Sequence, residues 1–188
     1  MENEKILKRH DDRKDLAGEH VFGDLGQIIL LVTFLIIWLT DSFFVKYSIQ
    51  LSEYVPLYIR IALAIIVFII AGYLARKGLT IVFSEVREKP VVIRKGVFGI
   101  VRHPIYLGAI LFYLSLLIAF FSAAAMFIWF VIILFYIFLC KHEERLLTEK
   151  FGSEYDKYKQ VTPMLIPRLF KRKNNASSGI QGRTYDGH

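Results

Sequence analysis

The chain holds a single cysteine, Cys140, in 188 residues. That scarcity excludes an intrachain disulfide and a sulfur-rich metal site, so Cys140 reads as an ordinary helix residue and no metal is expected. Two turns, near residues 48–56 and 121–125, carry no lysine or arginine, while basic residues number five in 1–24, two in 41–60, seven in 76–103 and ten from 141 onward. By the positive-inside rule this asymmetry places both termini and the middle loop in the cytoplasm. A net charge of +7 and a pI near 9.5 would by their sum suit nucleic acid. Their placement beside apolar segments instead makes them orientation signals and partners for anionic membrane lipids, and no nucleic-acid partner is expected. No cleavable signal peptide is expected either. The first twenty residues are dense in charge, and Thr40, Asp41 and Ser42 follow the first apolar run where small cleavage-site residues would be needed, so that run stays as an anchor.

Apolar residues are what the chain has in excess. At 55% hydrophobic and 15% aromatic, with a mean hydropathy of +0.44, it is too apolar for an ordinary soluble domain. The expected fold is all-α: a polytopic membrane protein of about four transmembrane helices with a C-terminal helical hairpin and a cytoplasmic cofactor pocket. In order, residues 1–24 read as a cytoplasmic arm and 25–77 as two N-terminal spans, the second covering 57–75 and closing at Arg76 and Lys77. Asp41 is read as an interfacial charge in reach of water, and Arg60 as snorkelling outward along its stem. Residues 78–170 form the functional core, and the basic, then Asn-, Ser- and Gly-rich stretch 171–188 reads as disordered.

Within the core, 78–101 is too long for a simple turn and too apolar for a linker, which suggests a lid or pocket wall. Pro104 suits the first turn of a helix. Residues 105–121 and 126–140 then make two spans joined at 122–125, although Ala123, Ala124 and Ala125 are poor turn residues; one unbroken helix of about 35 apolar residues would overshoot the bilayer. The hairpin returns the chain to the level of Arg102. Residues 143–151 continue as a helix into water, Gly152 stops it, Ser153 with Asp156 resembles a new N-cap, and Pro163 and Pro167 end helix formation.

Arg102, His103 and Tyr106 at one helix start therefore face His142, Glu143 and Glu144 at a neighbouring helix end. Charges of both signs at one membrane depth suit a zwitterion such as S-adenosyl-L-methionine. Its carboxylate seeks Arg, His or backbone donors, its ammonium and ribose hydroxyls seek acceptors such as Glu, and its adenine seeks apolar or aromatic walls. The plainer alternative is an Arg–Glu salt bridge that closes the hairpin without any ligand.

The pattern Gly96-x-Phe98-x-x-Val101-Arg102-His103-Pro104-x-Tyr106-x-Gly108, then an apolar hairpin, then Glu143-Glu144-x-x-Leu147-x-x-x-Phe151-Gly152-x-x-Tyr155-x-x-Tyr158, resembles the isoprenylcysteine carboxyl methyltransferase and phospholipid methyltransferase superfamily over residues 78–170. The resemblance implies an integral-membrane methyltransferase that uses S-adenosyl-L-methionine and takes a lipophilic or lipid-modified acceptor from the bilayer through a side tunnel. It implies cofactor contacts at Pro90, Val91, Val92 and Ile93, at Phe98, at His103, Pro104, Ile105 and Tyr106, and at Glu143, with Arg102, His103 and Glu144 as the catalytic set. In three places the chain departs from the carboxyl methyltransferases: Pro90 stands where they have histidine, Phe98 where they have tyrosine, and Leu139 where they have a substrate-associated arginine. Loss of that arginine removes the obvious partner for a substrate carboxylate, with Lys141 as the alternative. Related membrane reductases that bind a nicotinamide cofactor, and a non-enzymatic scaffold with a salt-bridged hairpin, are the rival readings.

Overall fold

The computed structural model describes residues 21–45, 54–83 and 91–167. The expectations for most of the N-terminal arm, for the charged stretch 84–89, for Pro90 and for the tail 171–188 lie outside the described residues.

Five α-helices account for most of what is described. Helix α1 (Val21–Leu39) passes into a wider π-helical turn at Thr40–Val45. Helix α2 is Leu57–Phe83, α3 is Pro104–Ala119 and α4 is Ala123–Phe151. The short α5 (Ser153–Val161) follows directly, and a 3₁₀ turn at Gly96–Gly99 precedes α3. Among the described residues there is no strand. Gly23–Phe44, Leu57–Val82 and Ala123–Phe151 are long and apolar enough to cross a membrane. The protein is an integral membrane protein, and its outward face agrees: Ile69, Phe127, Leu134 and Phe138 are each more than 60% exposed, as lipid-facing side chains are.

Helix α3, at 16 residues, extends only about 24 Å against a hydrocarbon core of about 30 Å. It is the central helix. Ile110, Tyr113 and Leu117 pack with Phe34 and Trp38 of α1 and with Ile132, Tyr136 and Leu139 of α4. Against α2 the contact is closer still, because Ala64, Ala71 and Gly78 recur every seven residues on the buried face of that helix. Small residues at this spacing let two backbones approach where no hydrophobic effect drives them together. Gly108 of α3 sits in the seam: a Cβ there would lie 2.9 Å from the Ala71 carbonyl oxygen and 3.2 Å from the Ala75 nitrogen. Backbone atoms cannot swing aside. Gly108→Val is expected to destabilise the fold by about 1–3 kcal/mol, read as a lower melting temperature in detergent, whereas Gly72→Ala, which meets nothing within 4 Å, should leave it unchanged.

The structure corrects four local expectations. Helix α2 does not end at Arg76 and Lys77 but runs to Phe83, so the first part of the expected lid is helix. Charges there mark an exit from the membrane and do not break the helix, and the Thr80 hydroxyl donates back to the Arg76 carbonyl at 2.8 Å. The hairpin turn lies at residues 120–122 and not at 122–125. Ser122 is the N-cap, its Oγ accepting from the Ala125 N–H, so the three alanines occupy the first helical turn, where their propensity is best. Asp41 is buried, and the Ser122 hydroxyl donates to its Oδ2 at 2.5 Å, which ties the π-helical turn to the hairpin. At the start of α5 the N-cap is Gly152, with φ +54°, and not Ser153.

Candidate functional site

The chain reaches the site through a constrained corner. His103 precedes a proline and so is held out of the helical region, with φ −122° and ψ 66°. It occupies the N-cap position of α3 without using its side chain to cap. The imidazole is therefore free to face α4. Neighbouring backbone groups are fixed from the C-terminal side: the Arg102 N–H donates to the Pro163 carbonyl at 2.9 Å and the His103 N–H to the Met164 carbonyl at 3.2 Å. The proline-bounded segment after α5 thus straps the Arg102–His103 corner in place.

Glu143 and Glu144 are consecutive on α4 and point in different directions around it, yet both reach His103 because an imidazole has two nitrogens. Nδ1 lies 3.4 Å from Glu143 Oε2 and Nε2 lies 3.2 Å from Glu144 Oε1. Arg102 Nε lies 2.8 Å from the same Glu144 oxygen, out of line for a hydrogen bond, while its Nη1 donates to the Lys159 carbonyl at 3.0 Å. The Tyr106 hydroxyl donates to Glu143 Oε1, and the Tyr106 ring stacks between His103 and Tyr136, at 5.8 Å and 5.2 Å between centroids. Two cations thus face two carboxylates.

Burial works against a charged His103, but hydrogen bonds with Cys140, Glu143 and Glu144 outweigh it and hold the imidazolium well above its usual range. A carboxylate at each nitrogen requires an N–H at each, which only the protonated ring supplies. The direction sets a pH signature. A group whose pKa is raised on folding contributes stability fully below its unfolded value, about 6.5, and loses it as pH climbs through the folded value. The melting temperature should therefore fall as pH rises above neutrality, and His103→Gln should flatten that slope. An unchanged slope would remove the imidazolium from this account.

A second layer surrounds the four charges. The Tyr158 hydroxyl donates to the Phe98 carbonyl at 2.6 Å, and burial pushes its pKa up to about 12, so it stays a neutral donor. Lys159 Nζ donates to Thr148 Oγ1 at 3.0 Å, and Thr148 in turn donates to the Glu144 carbonyl at 2.7 Å. Arg94 reaches α5 at Glu154, 3.2 Å from Oε1.

Of the residues singled out in the sequence, the structure brings Arg102, His103, Tyr106, Glu143 and Glu144 together. Phe98 joins them through α5. Pro104 is buried at the first position of α3, Ile105 faces Gly78 of α2, and His142 stacks with Phe138. Val91, Val92 and Ile93 are non-helical and partly to well exposed. Sequence reasoning missed Cys140, Tyr136, Thr148 and Lys159. Cys140 and Tyr136 were legible as positions on the Glu143–Glu144 side of α4, one and two turns back; Thr148 and Lys159 carried no such signal. The plain salt bridge between Arg102 and Glu144 is present, and it is part of a larger cluster.

A family model described as phospholipid methyltransferase matches residues 53–154, just over half of the chain. The match takes in α2, the whole hairpin and both charged pairs. Neither the curated proteins nor the solved structures yield a match.

Proposed function

The chain belongs to the phospholipid methyltransferase family, a membrane methyltransferase of the phospholipid and isoprenylcysteine class, and from that premise we propose that it uses S-adenosyl-L-methionine to methylate a lipophilic acceptor entering from the bilayer. The observation that carries the reading is the convergence of Arg102 and His103 with Glu143 and Glu144 inside the matched segment. Family membership favours methyl transfer over nicotinamide-dependent reduction and over a bare scaffold.

The residues present fit this cofactor. Glu143 is the most open of the four charged side chains, at 24% exposure against 14% for Glu144, 11% for Arg102 and 6% for His103. Glu143 is thus the carboxylate that takes ligand ammonium or hydroxyl donors. Arg102, His103 and Glu144 lie behind it and fix its position, Tyr106 offers an aromatic wall beside it, and the Phe98 ring is assigned to the adenine side of the ligand. Val91, Val92 and Ile93, which precede the Gly96–Gly99 turn, are assigned backbone donors to the ligand together with Ile105, whereas Pro90 and Pro104, which lack an N–H, are assigned only apolar contact. When bound, S-adenosyl-L-methionine supplies an activated methyl on a sulfonium, so the protein's share is alignment and exclusion of water. A charged imidazolium has no free lone pair. Proton acceptance from an amine acceptor therefore falls to Glu143 or Glu144 and not to His103.

Leu139 supports an amine-bearing phospholipid over a prenylcysteine carboxylate. It lies buried in the apolar core one turn before Glu143, where no cation meets a substrate carboxylate. The basic residues near the Arg102 end of the bundle support a cytoplasmic site with both termini on that side. Two measurements test the proposal. Thermal stabilisation in detergent by S-adenosylhomocysteine, and not by NADPH, is expected; the reverse result makes the protein a reductase, and stabilisation by neither leaves a scaffold. Radiolabelled methyl transfer over a lipid extract should then label phosphatidylethanolamine-derived products, and label confined to prenylcysteine esters would overturn the choice of acceptor.

A further inference from the structure

At the opposite end of the bundle from the charged cluster, a cavity of about 260 Å³ opens between the start of α2, the end of α3 and the start of α4. Leu114, Leu117, Phe121, Met126 and Trp129 form its apolar wall, and among the described residues Arg60 is the one charged side chain that lines it. The indole N–H of Trp129 is already committed to the Ile110 carbonyl at 3.0 Å, so that ring presents surface and no donor. Arg60 Nε is buried and makes no hydrogen bond. Arg60 therefore does not simply snorkel outward: half-buried, it lines an apolar recess, in the first turn of a membrane span, where the headgroup layer begins. A guanidinium has only donors to offer and matches phosphate oxygens two at a time.

We propose that this cavity is a binding site for an anionic phospholipid, with the phosphate on Arg60 and the start of one acyl chain against Leu114, Leu117 and Trp129. Its volume is smaller than the roughly 300–1,000 Å³ of pockets that enclose a whole ligand, which suits a headgroup and upper chain whose remainder stays in the bilayer. A net-negative headgroup is selected because the ammonium of a zwitterionic lipid adds a second cation beside the guanidinium. Helix α2 meets the Pro104–Ile105 corner at Gly78, 18 residues or about 27 Å along the helix from Arg60, so this lipid lies far from Glu143 and is structural or regulatory, not the methyl acceptor.

The test uses the full chain in nanodiscs of phosphatidylcholine, alone or mixed with phosphatidylglycerol of the same acyl chains. Phosphatidylglycerol should raise the melting temperature by about 5 °C. Arg60→Gln should abolish the rise, as should Leu114→Trp, which fills the recess without touching the charge and serves as the readout if Arg60→Gln does not fold. Inorganic phosphate added to the phosphatidylcholine discs should have no effect. An equal rise in Arg60→Gln and Leu114→Trp, a rise with inorganic phosphate alone, or no rise in the unmodified protein overturns the proposal.

Discussion

Glu144→Ala is expected to destabilise the protein by about 3–5 kcal/mol, the usual result of stripping one partner from a buried ion pair, and to lower its melting temperature by about 6–20 °C. Glu144 Oε1 alone faces Arg102 Nε at 2.8 Å and His103 Nε2 at 3.2 Å. Neither cation has water to fall back on, since their side chains are 11% and 6% exposed. A second variant separates ion pairing from packing. Replacing both partners of a buried pair by apolar groups is often close to neutral, so Arg102→Met combined with Glu144→Ala should recover much of the loss, and the coupling is read from the double-mutant cycle. Additive effects, or a Glu144→Ala melting temperature within a few degrees of the parent, would show that the corner is held by Pro163, Met164 and Lys159 alone.

That cluster was legible in the sequence because three one-dimensional signals agree. Pro104 fixes where a helix begins, the apolar run after it is too long for one crossing, and Gly152, with φ +54°, ends the return helix. Together they oblige residues 102–103 and 143–144 to share a depth. What stayed illegible depends on contacts between distant segments. Ser122 and Asp41 are 81 residues apart, and nothing in either neighbourhood announces that the aspartate is buried. The strap at Pro163 and Met164 acts through backbone carbonyls, which leave no side-chain signature. The length of α2 is illegible for a different reason: Arg76 and Lys77 look like the end of a helix in one dimension, yet the helix runs on to Phe83, because charge marks the end of a lipid-facing stretch and does not break the backbone pattern. Ser122 is the one position where a better local reading existed, because a serine before a run of alanines is an N-cap pattern.

The second large effect separates the structural carboxylate from the one assigned to the ligand. Glu143→Ala removes a charge-assisted acceptor, and such bonds contribute about 1.5–3 kcal/mol, so affinity for S-adenosylhomocysteine should weaken about 10–150-fold with methyl transfer lost in step. Folding should survive, because the Glu143 side chain is 24% exposed, so water can enter the space it leaves beside Tyr106, and His103 keeps Glu144 as its partner at 3.2 Å. This is the converse of Glu144→Ala, which costs stability first. Glu143→Gln sharpens the comparison: the amide keeps an acceptor for Tyr106 but gives up the charge, so an affinity as low as that of Glu143→Ala assigns the effect to electrostatics, and a near-parental affinity assigns it to shape. Both carboxylates lie against the same histidine, at 3.4 Å and 3.2 Å, so distance alone does not distinguish their roles; exposure does. If Glu143→Ala binds S-adenosylhomocysteine as tightly as the parent, the ligand does not meet α4 at this carboxylate, and the cofactor assignment of the whole cluster fails with it.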